Sequence, residues 1–186
     1  MTLDIFPAIR HVAALILGAS VSCVLSLPSL ADAASALPPG PREALADRVG
    51  NDVATLETLL GQSRSAEAWQ AELQGSADPA VLAALGDYLA RIAPAPTEAS
   101  DVTSIVAALP ADGKQLFVDN CLSCHGGDKY FLRQEKDFEA WMGIFDAPYH
   151  RRQLTGEGER EMFAGYAAIT TPLALDPVPE ALADKD

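Results

Sequence analysis

Cysteine and histidine are scarce in this sequence, with three of each in 186 residues. Cys23 lies in an N-terminal stretch with the pattern of a leader, and Cys121 and Cys124 stand three apart, so no disulfide framework is available. Stability must therefore come from packing. Basic residues are also few, 13 against 26 acidic, for a net charge of −13. A surface of that sign argues against nucleic acid and against anionic lipid. It suits docking to a basic patch on a partner protein, and it serves solubility equally well. Alternating strand patterns are missing throughout. Paired carboxylates such as Glu157 and Glu159–Glu161 read as a solvated helix face, and nothing suggests hydrolytic or phosphate chemistry.

What is present begins at the N-terminus. Arg10 and His11 precede an uncharged, mostly apolar stretch from Val12 to Leu27, and Ala31-Asp32-Ala33 follows as an A-x-A cleavage pattern. This order predicts a secretory signal peptide over residues 1–33. The apolar stretch is shorter than the roughly 20 residues that span a bilayer. Residues 34–186 then carry 12 basic and 24 acidic residues, a net charge of −12. That length suits one medium domain or two small ones.

Periodicity along the exported part is helical. Residues 34–41 are small, apolar and proline-rich, and read as a linker or extended arm. Leu45, Val49, Val53, Leu56 and Leu60 recur at helical intervals, interrupted at Gly50, where Asn51-Asp52 can start a second helix. Ser65 caps a helix bearing Trp69, and Asp78-Pro79 opens another with Val81, Leu82, Leu85, Tyr88 and Leu89 on one side. PAPTEAS, residues 94–100, reads as a linker. The second half repeats the order. A helix from Asp112 carries Leu116 and Phe117, Gly126-Gly127-Asp128 turns the chain, and a short helix from Asp137 carries Trp141. A last helix capped by Thr155 presents Met162, Phe163, Tyr166 and Ile169, and an acidic tail follows from Asp176. Leu45 aligns with Leu116 at an offset of 71 and Trp69 with Trp141 at 72, where Glu-Ala-Trp recurs. The expectation is an all-α protein built from two related helical modules, residues 34–100 and 101–175, with the tail over 176–186.

Cys121-Leu122-Ser123-Cys124-His125 is the most specific motif in the chain. Two cysteines three apart, with histidine directly after the second, form the attachment signature of c-type haem. Each thiol adds across one vinyl group, the two-residue spacer lets one turn reach both, and the histidine supplies the proximal nitrogen. Structural zinc needs four ligands, and only His150 remains to join these three. A thioredoxin-like pair would need a strand before the motif and a helix after it.

Residues 111–170 resemble a class I cytochrome c domain: a helix running into CLSCHGG, a tryptophan-bearing middle helix, and a last helix, LTGEGEREMFAGYAA. Residues 38–96, from LPPGP through RSAEAW to DYLARIAP, resemble a second such module without its attachment site. At the offset of 71, Gly50, Val53 and Ala54 stand in place of Cys121, Cys124 and His125. The resemblance implies one covalent haem c held by Cys121, Cys124 and His125. It also implies single-electron transfer in the periplasm, as carrier for or subunit of a dehydrogenase. The haem-free half is then expected to serve docking or assembly. The alternative is a haem enzyme or sensor whose open distal site takes a peroxide, a sulfur compound or a gas.

The distal ligand is where the chain departs from the family pattern. No methionine stands between Pro148 and Thr155, where a loop methionine is expected. Candidates are His150, Met142 and Met162, or an open site. Arg133, Arg151 and Arg152 are candidate partners for haem propionates, or else balance nearby carboxylates.

Overall fold

The computed structural model describes residues 34–75, 77–125 and 130–174. The predicted leader (1–33), the Gly126-Gly127-Asp128 turn and the acidic tail lie outside the described residues. Among those described, the regular structure is helical and no strand occurs, as the periodicity predicts. None of the described helices is long and apolar enough to cross a membrane.

The first half holds α1 (Pro41–Val49), α2 (Val53–Leu60), α3 (Ala66–Glu72) and α4 (Pro79–Ile92). Each boundary has a local cause. Gly50 takes φ 56 and ends α1, after which Asp52 accepts from Thr55 N–H to start α2. Ser65 and Asp78 cap α3 and α4 in the same way, and Pro79 occupies the first turn of α4, where its missing N–H costs nothing. Residues 94–100 have no regular structure, but Ala95 N–H is tied to Leu60 carbonyl.

The second half opens with α5 (Val102–Ala108), a helix the sequence reading left out. Asp101 caps it, and Val102, Ile105 and Val106 bury one face. α6 (Gly113–Leu116) continues into a π turn (Phe117–Leu122), and after a 3-10 turn at Tyr130–Arg133 comes α7 (Phe138–Gly143), capped by Asp137. A 3-10 turn (Ile144–Asp146) extends α7, and α8 (Glu159–Thr170) closes the half. The start of α8 corrects the expectation of a Thr155 cap. Gly158 at φ 72 sets the boundary, while Glu159 carboxylate turns back to accept from Gly156 N–H at 2.7 Å.

In the first half α1 and the tryptophan helix α3 pack on the last helix, α4, and in the second half α6 and the tryptophan helix α7 pack on α8. α4 and α8 then cross each other, so the buried side chains of both halves form one continuous core. Gly113 lets α6 approach α8 closely. A Cβ there would overlap Tyr166 and come within 2.7 Å of Met162 carbonyl.

The halves also exchange equivalent contacts. Tyr88 hydroxyl on α4 donates to Pro110 carbonyl ahead of α6, and Tyr166 hydroxyl on α8 donates to Pro38 carbonyl ahead of α1, at 2.7 and 2.9 Å. Asp112, buried to 3% exposure, accepts from Gln115 N–H in its own helix and from Arg42 N–H in α1. Lys114 returns the contact to Glu43 at 2.8 Å. The stretch 34–41, expected as a linker or extended arm, is instead helical over residues 34–36 and packed. Leu37 and Pro41 are buried, and Pro38 takes a tyrosine hydrogen bond. Helix starts align the halves at 72 residues, Gly40 with Asp112 and Ser65 with Asp137, and Ala36-Leu37-Pro38 recurs as Ala108-Leu109-Pro110. That register sets Leu45 opposite Phe117 rather than Leu116. It puts Val49, Asp52 and Val53 in place of Cys121, Cys124 and His125.

Candidate functional site

The motif ends the helix that begins at α6. His125 N–H donates to Cys121 carbonyl at 3.0 Å, so helical bonding continues past the π turn. Cys121, Cys124 and His125 therefore occupy positions i, i+3 and i+4, which share one face of a helix. From within the π turn, Asn120 side-chain amide donates to Leu116 carbonyl at 3.0 Å. Both thiols are free. Cys124 is exposed and Cys121 half-buried. Burial, and then the neighbouring Cys124, push the Cys121 thiol up to about 12.

These three side chains line a cavity of about 500 Å³. That is the size range of cofactor and ligand pockets. Its apolar wall is an aromatic cluster. Phe163 stands edge-on to Trp141 and Phe145, with ring centroids 5.7 and 5.6 Å away, and Phe117 packs behind against Trp141 and Phe163. Tyr149, His150, Gln153 and Leu154 supply a further wall from the loop between the 3-10 turn and α8.

His150 comes to the motif. Its ring centroid lies 6.4 Å from that of His125, with the ring planes 35° apart. Its Nδ1 is 3.2 Å from Ile144 carbonyl. A carbonyl only accepts, so this contact places the proton on Nδ1. In the neutral ring that leaves the Nε2 lone pair available to a metal. Neither methionine candidate lines the cavity. Met162 is buried in the core of α8 and Met142 is half-buried beside Trp141. Arg133, Arg151 and Arg152 are exposed and do not line it either, and Arg151 Nε instead donates to Asp146 carbonyl.

Two observations bear on what the cavity can hold. Trp141 lines the cavity, but its Nε1 is buried away from that surface and has no hydrogen-bond partner. Among the described residues no three His, Cys, Asp or Glu side chains converge into a metal-holding group, so what these residues share is the cavity. Two thiols on one helical face, two imidazoles and aromatic walls are a set of groups that could hold a flat, largely apolar cofactor with a central metal.

The sequence reading missed Lys136 and Gln134 in the lining. Lys136 ammonium sits 5.9 Å from the Trp141 ring, as Arg64 guanidinium sits 5.3 Å from the Trp69 ring in the first half. The signal was available. RSAEAW and KDFEAW place a cation, a cap and a tryptophan at the same spacing. The repeat includes the orphan donor, since Trp69 Nε1 is also buried and unpaired. Compared with protein-family models, curated proteins and solved structures, the chain matches none.

Proposed function

We infer that Cys121 and Cys124 carry one haem c as thioethers, with His125 as proximal and His150 as distal ligand. The chain is read as an exported c-type cytochrome of the periplasm, moving single electrons as carrier for or subunit of a dehydrogenase. The first half is read as a cytochrome-c-like module that has lost its attachment residues and serves docking or assembly. The observation that carries the ligand assignment is the 6.4 Å between the two imidazole centroids. A metal–imidazole nitrogen bond is about 2 Å, and two such rings on opposite sides of one ion have centroids roughly 6 Å apart. If both imidazoles were to hold one iron, the 35° between their planes would be compatible with that role.

When bound, haem iron supplies one-electron Fe(III)/Fe(II) chemistry. The chain does the rest. Ile144 carbonyl orients His150, and the aromatic wall excludes water. Lys136 in the lining offers a cation to acidic groups at the cofactor's edge. Two nitrogen ligands set a lower potential than a histidine–methionine pair, because a thioether raises it.

The test is the ferric and ferrous spectrum of the haem-loaded protein beside that of His150→Ala. The expected result is a low-spin wild type without the far-red sulfur-to-iron band, and a high-spin variant. A sulfur band that survives the substitution makes a methionine the ligand. A high-spin wild type moves the function to the enzyme or sensor alternative.

A further inference from the structure

The loop that carries His150 is held by one side chain from α8. Arg160 Nη2 donates to Arg151 carbonyl at 2.7 Å and to Gln153 carbonyl at 3.2 Å, and its Nε donates to Leu154 carbonyl at 3.0 Å. These carbonyls begin one residue after His150. They close a run of tight turns in which His150 and Arg151 N–H both reach Ala147 carbonyl and Gln153 N–H reaches His150 carbonyl. Leu154, which ends the run, is buried and takes φ 49, a backbone conformation that leucine rarely adopts. Something must hold it there. The guanidinium also lies 4.8 Å from the centroid of Phe145, which lines the cavity. Among the described residues no carboxylate lies within salt-bridge distance of Arg160. Its charge is met by carbonyl dipoles and an aromatic face, an arrangement that suits a planar fork and that an ammonium reproduces poorly.

We propose that Arg160 is the positioning residue that seats His150 over the cavity, so that it sets how often the distal position opens. This rests on the reading of His150 as distal ligand. An incoming ligand binds in proportion to the fraction of molecules whose site is open. Arg160 therefore governs the balance between a closed electron-transfer site and an accessible one.

The experiment uses the full-length haem-loaded protein with carbon monoxide as the probe. It compares wild type, Arg160→Met, Arg160→Lys, His150→Ala and the Arg160→Met/His150→Ala double variant. Arg160→Met is expected to raise the carbon monoxide association rate about tenfold or more, with Arg160→Lys in between. The double variant should match His150→Ala, because the two residues act on one event. In the same chain without haem, Arg160→Met should speed hydrogen exchange at the His150, Arg151 and Gln153 amides and leave α1 unchanged. If His150→Ala accelerates binding but neither Arg160 variant does, the Arg160 inference falls and the ligand assignment stands. Arg160→Lys identical to wild type in both rate and exchange also overturns it. If His150→Ala itself binds at the wild-type rate, the ligand assignment falls and takes this inference with it.

Discussion

The two thiols of the motif differ more in environment than their sequence suggests. Cys124 is exposed, whereas burial and then Cys124 itself hold the Cys121 thiol up to about 12. The thiolate is the reactive form. In the full chain without haem, iodoacetamide at mild alkaline pH should therefore label Cys124 first and Cys121 more slowly. The Cys121 rate should keep rising with pH well beyond an ordinary thiol. Peptide mass mapping over a pH series measures this, and equal rates at both positions would contradict the burial seen here. The helical face shared by Cys121, Cys124 and His125 was legible from their spacing. On the haem reading, two attachment points and a ligand on one face leave few workable spacings. His150 was legible only by elimination, as the last histidine outside the motif. Lys136 was not, because a lysine ahead of a helix reads as solvated until its position beside Trp141 is seen. Arg160 was hidden for the same reason. Its role depends on carbonyls six to nine residues away in a loop, and no side-chain pattern records those.

Helix starts followed sequence at every side-chain cap but one, Asp101 of α5. Asp52, Ser65, Asp78, Asp112 and Asp137 each accept from the N–H that their position demands. The two errors have different causes. Four of the seven residues of α5, Val102, Thr103, Ile105 and Val106, are β-branched and weaken its helical signal, although Asp101 and the burial of Val102, Ile105 and Val106 mark it afterwards. The start of α8 depends on backbone conformation at Gly158, and a threonine three residues earlier imitates a cap. Close helix approach was likewise invisible in the sequence, since a glycine there looks like any helix-opening residue. Gly113→Ala tests it. Its methyl group meets Tyr166 Cβ and the Met162 backbone rather than the movable end of a side chain, so α6 and α8 must separate. We expect a loss of about 1–3 kcal/mol in chemical denaturation. Gly143→Ala, where a Cβ meets nothing within 4 Å, should lose far less.

At the scale of the whole molecule the two halves are clasped by the Tyr88 and Tyr166 hydroxyls, each donating to a carbonyl of the other half. Both phenols are raised above the ordinary tyrosine range, by burial first and then by the charge of Asp112 between them. The folded protein thus keeps these phenols protonated to higher pH than the unfolded chain does. Their contribution is fully present below the unfolded value of about 10. It is lost as pH rises above that toward the folded value, because only the unfolded chain gains by releasing the protons. Near neutral pH, Tyr88→Phe and Tyr166→Phe should each cost about 1 kcal/mol, since each removes the donor to a carbonyl where the halves meet. Above pH 10 or so, wild type should lose stability with pH more steeply than the double phenylalanine variant. The two proteins share every other ionisable group, so the difference between the two slopes isolates the tyrosines. Urea denaturation at several pH values measures it, and identical alkaline slopes would show that the clasp does not hold the halves together. A steeper wild-type slope would tie the stability of the haem-motif half to that of the half without it. That coupling would give the first half a structural role of its own, because its buried side chains belong to the same core on which α8 and the cavity wall are built.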